Sequence, residues 1–299
     1  MRKPKIGLAL GSGGARGWAH IGVLRALEER GLKPDVVCGC SMGALVGAAY
    51  VSGNLDALED WARSITTAKL AMMVDVSLNS GGLVEAKQVA KFFETLNMPE
   101  MIEDLPIPFL TIATDMRTGR EVWLKEGPVI PAVRASISLP GIISPLEVNG
   151  RWLLDGGLTN PLPVSACRAL GADIVIAVNP EAKRLNVMWK EPPSRADETW
   201  DAIRAGLPSY VRGIVDVITR RRKKAHRPPN YFDVVSTSID VMVDQVRRSR
   251  LIGEPPHVLL DVHLEDFSVL DLNRAAAAIA EGRACVDRAQ AMLDEVLSG

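Results

Sequence analysis

Apolar residues in this chain follow two rhythms. In the first they form short unbroken runs: Ile6-Gly7-Leu8-Ala9-Leu10, Val36-Val37-Cys38, Phe109 to Thr114 and Asp173 to Val178. Such runs mark strands buried on both faces of a parallel sheet. In the second they return every three or four residues, which predicts helices over Trp18 to Arg30, Asp56 to Ile65, Val84 to Leu96, Val129 to Ser138 and Leu162 to Leu170. Ile21, Leu24 and Leu27 line one side of the first helix, and Gly31 stops it. Glu121 to Leu124 and Val258 to Val262 predict two more strands. Asn149-Gly150, between Leu146-Glu147-Val148 and Trp152-Leu153-Leu154, signals a hairpin. Asn273 to Leu297 predicts a terminal amphipathic helix covering one face of the sheet. Strands alternating with helices give the expected fold class: α/β, a three-layer α/β/α sandwich around a mostly parallel sheet.

The expected organisation is a single domain over 1–299. It has a core over 5–180, a helical lid or membrane-facing segment over 183–250, and a final strand and helix over 258–299. Ser80-Gly81-Gly82 predicts a turn within the core. In the 183–250 segment Leu207, Tyr210, Val211, Ile214, Val217 and Ile218 form an apolar stripe closed by Arg220-Arg221-Arg222-Lys223-Lys224. A basic helix end with such a stripe suits an anionic membrane surface. It equally suits a helix packed on the core with cations at its C-terminus, and that plainer reading is preferred. No charged residue occurs between Asp35 and Asp56, but glycines, Ser41, Ser52 and Asn54 interrupt the stretch. A buried strand–turn–helix accounts for it better than a membrane span.

Composition narrows the function. With 47% hydrophobic and 24% charged residues among 299, the chain is of ordinary globular type. A net charge of −1 argues against a general nucleic-acid binder, and 5% aromatics against a single-strand stacking platform. Cys38 and Cys40 form a C-x-C pair with no second pair to complete a zinc framework. They read as small buried residues, and a reducing cytoplasm fits the cysteine usage. The basic Met1-Arg2-Lys3-Pro4-Lys5 precedes an apolar run too short for a signal peptide. The expected location is cytoplasmic, with any membrane contact peripheral and on the inner face.

The chemistry centres on Gly39-Cys40-Ser41-Met42-Gly43, a G-x-S-x-G pattern between a strand and a helix. A strand turning straight into a helix strains the residue at the turn, and Cβ atoms two positions away would collide. Glycine at 39 and 43 removes them. Ser41 is then lifted clear of the sheet at the positive end of the following helix. A second glycine-rich turn, Gly11-Ser12-Gly13-Gly14-Ala15-Arg16-Gly17, follows the first strand. It fails as a dinucleotide fingerprint, because Arg16 or Ser12 falls on a required glycine, and no Gly-Lys-Ser/Thr follows for a Walker loop. Neighbouring parallel strands put their turns at one edge, so the preferred reading is an oxyanion hole serving Ser41. Ser41 needs a base. His20 is either that base or a buried histidine hydrogen-bonded to a neighbour. His226, His257 and His263 lie late in the chain without a supporting motif. Asp155, before Gly156-Gly157, is by elimination the better partner, although most Asp-Gly pairs are simple turns.

Four ordered blocks carry a resemblance: Gly11 to Gly17, Gly39 to Gly43, Ala135-Ser136-Ile137-Ser138-Leu139-Pro140, and Asp155-Gly156-Gly157. With them the chain resembles the bacterial patatin-like phospholipases, in the group akin to the catalytic domain of neuropathy target esterase. The resemblance implies a Ser41–Asp155 dyad, elbow glycines Gly39 and Gly43, and oxyanion amides at Gly13, Gly14 and Arg16. It implies hydrolysis of lipid or lysolipid acyl esters, of phospholipase A, lysophospholipase or carboxylesterase type, without metal, calcium or other cofactor. Ser12 departs from the pattern, standing where many members have glycine, though a serine still supplies an N–H. The alternatives are a non-catalytic acyl- or lipid-binding regulator and a nucleotide-binding α/β domain, the latter disfavoured by the failed fingerprints.

Overall fold

Eight short hydrophobic runs pair into one sheet, and the described helices pack on its faces. The computed structural model describes residues 2–69, 87–182, 231–264 and 266–298. The expected turn at Ser80–Gly82, the start of the Val84 helix, the stripe over 207–218 and the basic run over 220–224 lie outside them. The strands are β1 (Ile6–Leu10), β2 (Val36–Cys40), β3 (Phe109–Asp115), β4 (Glu121–Leu124), β5 (Leu146–Val148), β6 (Arg151–Asp155), β7 (Ile174–Asn179) and β8 (Val258–Asp261). The described helices are α1 (Ala19–Glu29), α2 (Met42–Val51), α3 (Leu55–Ser64), α4 (Lys87–Glu94), α5 (Val129–Ser136), α6 (Val164–Ala169), α7 (Tyr231–Gly253), α8 (Ala275–Arg288) and α9 (Gln290–Ser298).

The sheet order is β5-β6-β3-β2-β1-β7-β8, with β4 also on β3. β3, β2, β1, β7 and β8 run parallel, so their C-terminal ends share one edge. Alternation along the strands separates two cores. Leu8, Leu10, Val37, Ile176 and Val178 point to the thicker layer, which holds α1, α2, α3, α5 and α8. Ala9, Cys38, Cys40, Leu110, Ile112 and Ala177 point the other way, against α6 and Leu251 of α7. The sandwich therefore has the expected three layers, of unequal thickness.

Registers around β3 decide where the functional residues go. β4 pairs residues 111–114 of β3. β2 pairs residues 109–112 and β6 pairs residues 113–115. A strand has two edges, so β2 and β6 must share the edge that β4 leaves open. They meet there head to head. Cys40 ends β2 opposite Ile112, and Asp155 ends β6 opposite Ala113. Two residues far apart in sequence thus reach adjacent positions on one backbone.

Several helix boundaries differ from the expected ones, and three of the differences have a visible cause or consequence. The first helix begins at Ala19, because Gly14–Trp18 forms a 3₁₀ turn in which the Arg16 N–H donates to Gly13 O at 3.1 Å. The helix from Val129 ends at Ser136, freeing the next residues to bond to β6. The terminal helix breaks at Ala289 into α8 and α9. Within 183–250 the described residues from Tyr231 form α7, which runs on to Gly253.

The terminal helix is seated on the first by reciprocal glycines. A Cβ on Gly22 would lie 1.9 Å from Ile279 O, and one on Gly282 would lie 2.0 Å from Ala19 O. In an exposed helix interior alanine gains about 1 kcal/mol over glycine. Here the sign reverses. Gly22→Ala is expected to destabilise the protein by about 1–3 kcal/mol, the usual cost of overpacking, read from urea unfolding midpoints.

Candidate active site

Ser41 stands between β2 and α2 with φ 55° and ψ −123°, a backbone conformation that L-residues rarely adopt. The elbow holds because its glycines leave no alternative packing. A Cβ on Gly43 would lie 2.2 Å from Leu10 O, and one on Gly39 would lie 2.5 Å from the Ala44 Cα. Ser136 on α5 braces the turn. Its Oγ accepts the Ser41 N–H at 2.9 Å and donates to Ile112 O at 2.6 Å. Ser136 was legible only as part of a motif block; its bracing role depends on a contact across 95 residues.

Asp155 is held as firmly. Its N–H donates to Ser138 O at 2.9 Å, and its carbonyl accepts from Thr114 Oγ1 at 2.9 Å. The side chain receives the Gly157 N–H on Oδ1 at 2.7 Å and the Ser41 hydroxyl on Oδ2 at 2.6 Å. Only 3% of Asp155 and 8% of Ser41 is exposed. Burial pushes the Asp155 carboxyl up to about 7 against the two hydrogen bonds, and the Glu181 charge adds to the rise. The structure thus places Ser41 and Asp155 in direct contact.

His20 does not join them. It is fully buried, and its Nε2 bonds to Gly11 O at 2.8 Å. Burial lowers its pKa to about 4, so the ring is neutral and donates to the carbonyl. It supports the glycine loop.

That loop supplies fewer free amides than expected. Among the described residues the N–H groups of Gly13 and Gly14 have no protein acceptor. The Ser12 N–H donates to Pro161 O at 2.8 Å, and the Arg16 N–H is spent within the 3₁₀ turn. Arg16 is therefore corrected from amide donor to side-chain anchor. Its Nε donates to Phe267 O at 3.1 Å, and its guanidinium lies 3.7 Å from Glu181 and 4.0 Å from Asp240 of α7. Ser12 adopts an ordinary φ, as expected for a residue with a side chain.

α7 crosses this edge of the sheet on charged contacts. Arg247 pairs with Glu181 at 3.1 Å and with Asp244. Arg250 donates to Thr159 O at 2.8 Å and pairs with Glu121 at 2.5 Å. Sequence reasoning missed these pairs; apart from Asp244–Arg247 within α7, they join residues far apart in the chain.

A strained serine on a glycine-flanked elbow, bonded to a buried aspartate before two glycines, is the local setting of a distinct family. Residues 8–168 match the family model described as patatin-like phospholipase. The chain belongs to the patatin-like phospholipase family. An uncharacterized NTE family protein of Mycobacterium tuberculosis is 34% identical over 96% of this chain and 91% of its own length. Patatin-like phospholipase domain-containing protein 6 of Homo sapiens is 36% identical over 58% of this chain and 13% of its own length. The neuropathy target esterase sws of Drosophila melanogaster shows the same identity and coverage. The similarity places the chain near the neuropathy target esterase group and supports a lipid acyl hydrolase in general. Among the described residues no helix is long and apolar enough to cross a membrane.

Two stability predictions follow from these contacts. Ser136→Ala leaves the buried Ser41 N–H without its acceptor and should cost about 1–3 kcal/mol in urea unfolding. Asp155→Asn has the opposite sign. The carboxyl's folded pKa of about 7 lies above the ordinary 3.8, so its contribution is fully present below pH 3.8 and is lost as pH rises through 7. Asp155→Asn should therefore melt higher than wild type at pH 8, with the gain shrinking toward pH 4.

Proposed function

We infer that the protein is a serine lipid acyl hydrolase working through a Ser41–Asp155 dyad. The observation that carries this reading is the 2.6 Å bond from the Ser41 hydroxyl to a desolvated carboxylate. A carboxylate in water is too weak a base for a serine proton. One whose pKa lies near 7 is matched to the task.

In the first step Ser41 Oγ attacks the ester carbonyl carbon and its proton passes to Asp155 Oδ2. The carbonyl π pair moves onto oxygen, where the N–H groups of Gly13 and Gly14 and the N-terminus of α2 meet the charge. Collapse breaks the bond to the alcohol oxygen, which leaves with the proton from Asp155. In the second step water attacks the acyl-serine and gives its proton to Asp155. The second collapse returns a proton to Ser41 and frees the carboxylic acid. No metal or cofactor enters the sequence, and calcium has no role in it. Gly39 and Gly43 serve by keeping the elbow, and Arg16 by anchoring the oxyanion loop.

The substrate class is an acyl ester of a phospholipid, lysophospholipid or simple alcohol, met in the cytoplasm or peripherally at a membrane. A non-catalytic acyl-binding regulator would have no use for a strained serine bonded to a dry carboxylate.

With p-nitrophenyl butyrate as substrate, Ser41→Ala and Asp155→Asn should each lower kcat/KM by roughly a thousandfold or more while remaining folded. Retained turnover in either variant would remove the dyad. Wild-type kcat/KM should rise with pH through a single step near 7, because only the ionised Asp155 accepts the proton.

A further inference from the structure

The catalytic edge of the sheet ends in a projecting rim. β3 runs past the end of β2 and turns at residues 116–120, and the β5–β6 hairpin turns beside it at Asn149-Gly150. The two turns are joined by the Met116 N–H, which donates to Trp152 O at 2.9 Å. Trp152 precedes Asp155 by three residues on the same strand, about 10 Å at the rise of an extended chain.

The composition of this rim is unusual for a solvated surface. Met116 is 58% exposed and Trp152 54%. Three arginines, Arg117, Arg120 and Arg151, are exposed around them, against one exposed acid, Glu147. The other carboxylate in the turn, Asp115, is folded inward and accepts the N–H groups of Arg117 and Thr118 at 2.9 Å. A large amphipathic ring and a thioether set among arginines match a surface that is apolar below and anionic above. The chain as a whole carries a net charge of −1, so this cationic bias is local.

We propose that Met116 and Trp152, ringed by Arg117, Arg120 and Arg151, dock the protein on anionic lipid membranes with the active-site edge facing the bilayer. The biological purpose rests on the lipid-hydrolase reading, but the docking itself does not. Insertion of the indole and thioether between headgroups supplies apolar contact. The arginines add attraction to anionic lipid that weakens with salt. Docking in this pose brings the Ser41 edge to the source of its acyl chains without moving the sheet.

The experiment is co-sedimentation of the full chain with vesicles of phosphatidylcholine alone and with vesicles that also contain phosphatidylglycerol. The Ser41→Ala background keeps the lipid intact. The unaltered rim should partition onto the phosphatidylglycerol vesicles, less so as salt is raised. The double variant Arg117→Glu, Arg151→Glu should lower that partitioning by at least about tenfold, given roughly fivefold for each basic side chain near an anionic surface. Trp152→Ala should lower it as well. Trp123→Ala is the control, since Trp123 is also exposed (41%) but lies on β4, at the other edge of β3. In the Ser41-intact protein, these rim variants should keep wild-type turnover of p-nitrophenyl butyrate, which shows that they fold. Partitioning unchanged by the charge reversal, or lost equally in Trp123→Ala, would overturn the proposal. So would concentration-dependent self-association abolished by Trp152→Ala, which would make the rim a contact between copies of this chain. Vesicle binding by a wild-type protein inert toward soluble esters would overturn the hydrolase reading and leave the docking rim standing.

Discussion

A carboxylate kept dry against a serine hydroxyl is the contact on which the other features converge. Ionised carboxylates favour water, and Asp155 is almost completely withdrawn from it. It is retained there because its strand has nowhere else to go. β6 fills the half of the β3 edge that β2 leaves free, and the last residue of one strand meets the last residue of the other. Backbone bonds to Ser138 and Thr114 then fix Asp155 from two sides. Sheet pairing supplies the force that holds the charge out of solvent, and desolvation raises its pKa to about 7.

The serine side of the contact shows the same division of labour. Ser41 holds a strained backbone because the glycines at 39 and 43 let α2 approach the ends of β1 and β2. Ser136 gives the buried Ser41 amide its acceptor. The Ser136 to Ser138 stretch braces both members of the pair, one through a side chain and the other through a carbonyl. On the remaining side Arg16, Glu181 and Arg247 tie the glycine loop to α7, and the Glu181 charge reaches Asp155. Strain, burial and pairing thus meet at the Ser41–Asp155 contact.

How far the residues alone disclosed this depends on whether the cause was local. The steric demand of the elbow is local, so Gly39 and Gly43 could be read directly. The alternation of buried runs and helical stretches is also local, and it yielded the parallel sheet and the adjacency of the two glycine-bearing turns. Asp155 was reachable only by eliminating the histidines and through the Asp155-Gly156-Gly157 block of the family resemblance. His20 stayed open because burial and its bond to Gly11 O are tertiary facts. The amide of Arg16 was misassigned because a glycine-rich turn can present its N–H groups outward or close them into a 3₁₀ turn. Contacts with Val269 and Phe267, more than 250 residues away, accompany the second arrangement. The ionic seat of α7 was illegible for the same reason.

The central claim is that Asp155 activates Ser41. Covalent labelling by an alkyl fluorophosphonate, mapped by peptide mass and timed across pH, tests it most directly. The account predicts one modified residue, Ser41, a labelling rate that climbs with pH and levels off above about 7, and near-complete loss of labelling in Asp155→Asn. Modification at another residue, or an Asp155→Asn protein that labels as fast as wild type, would contradict it.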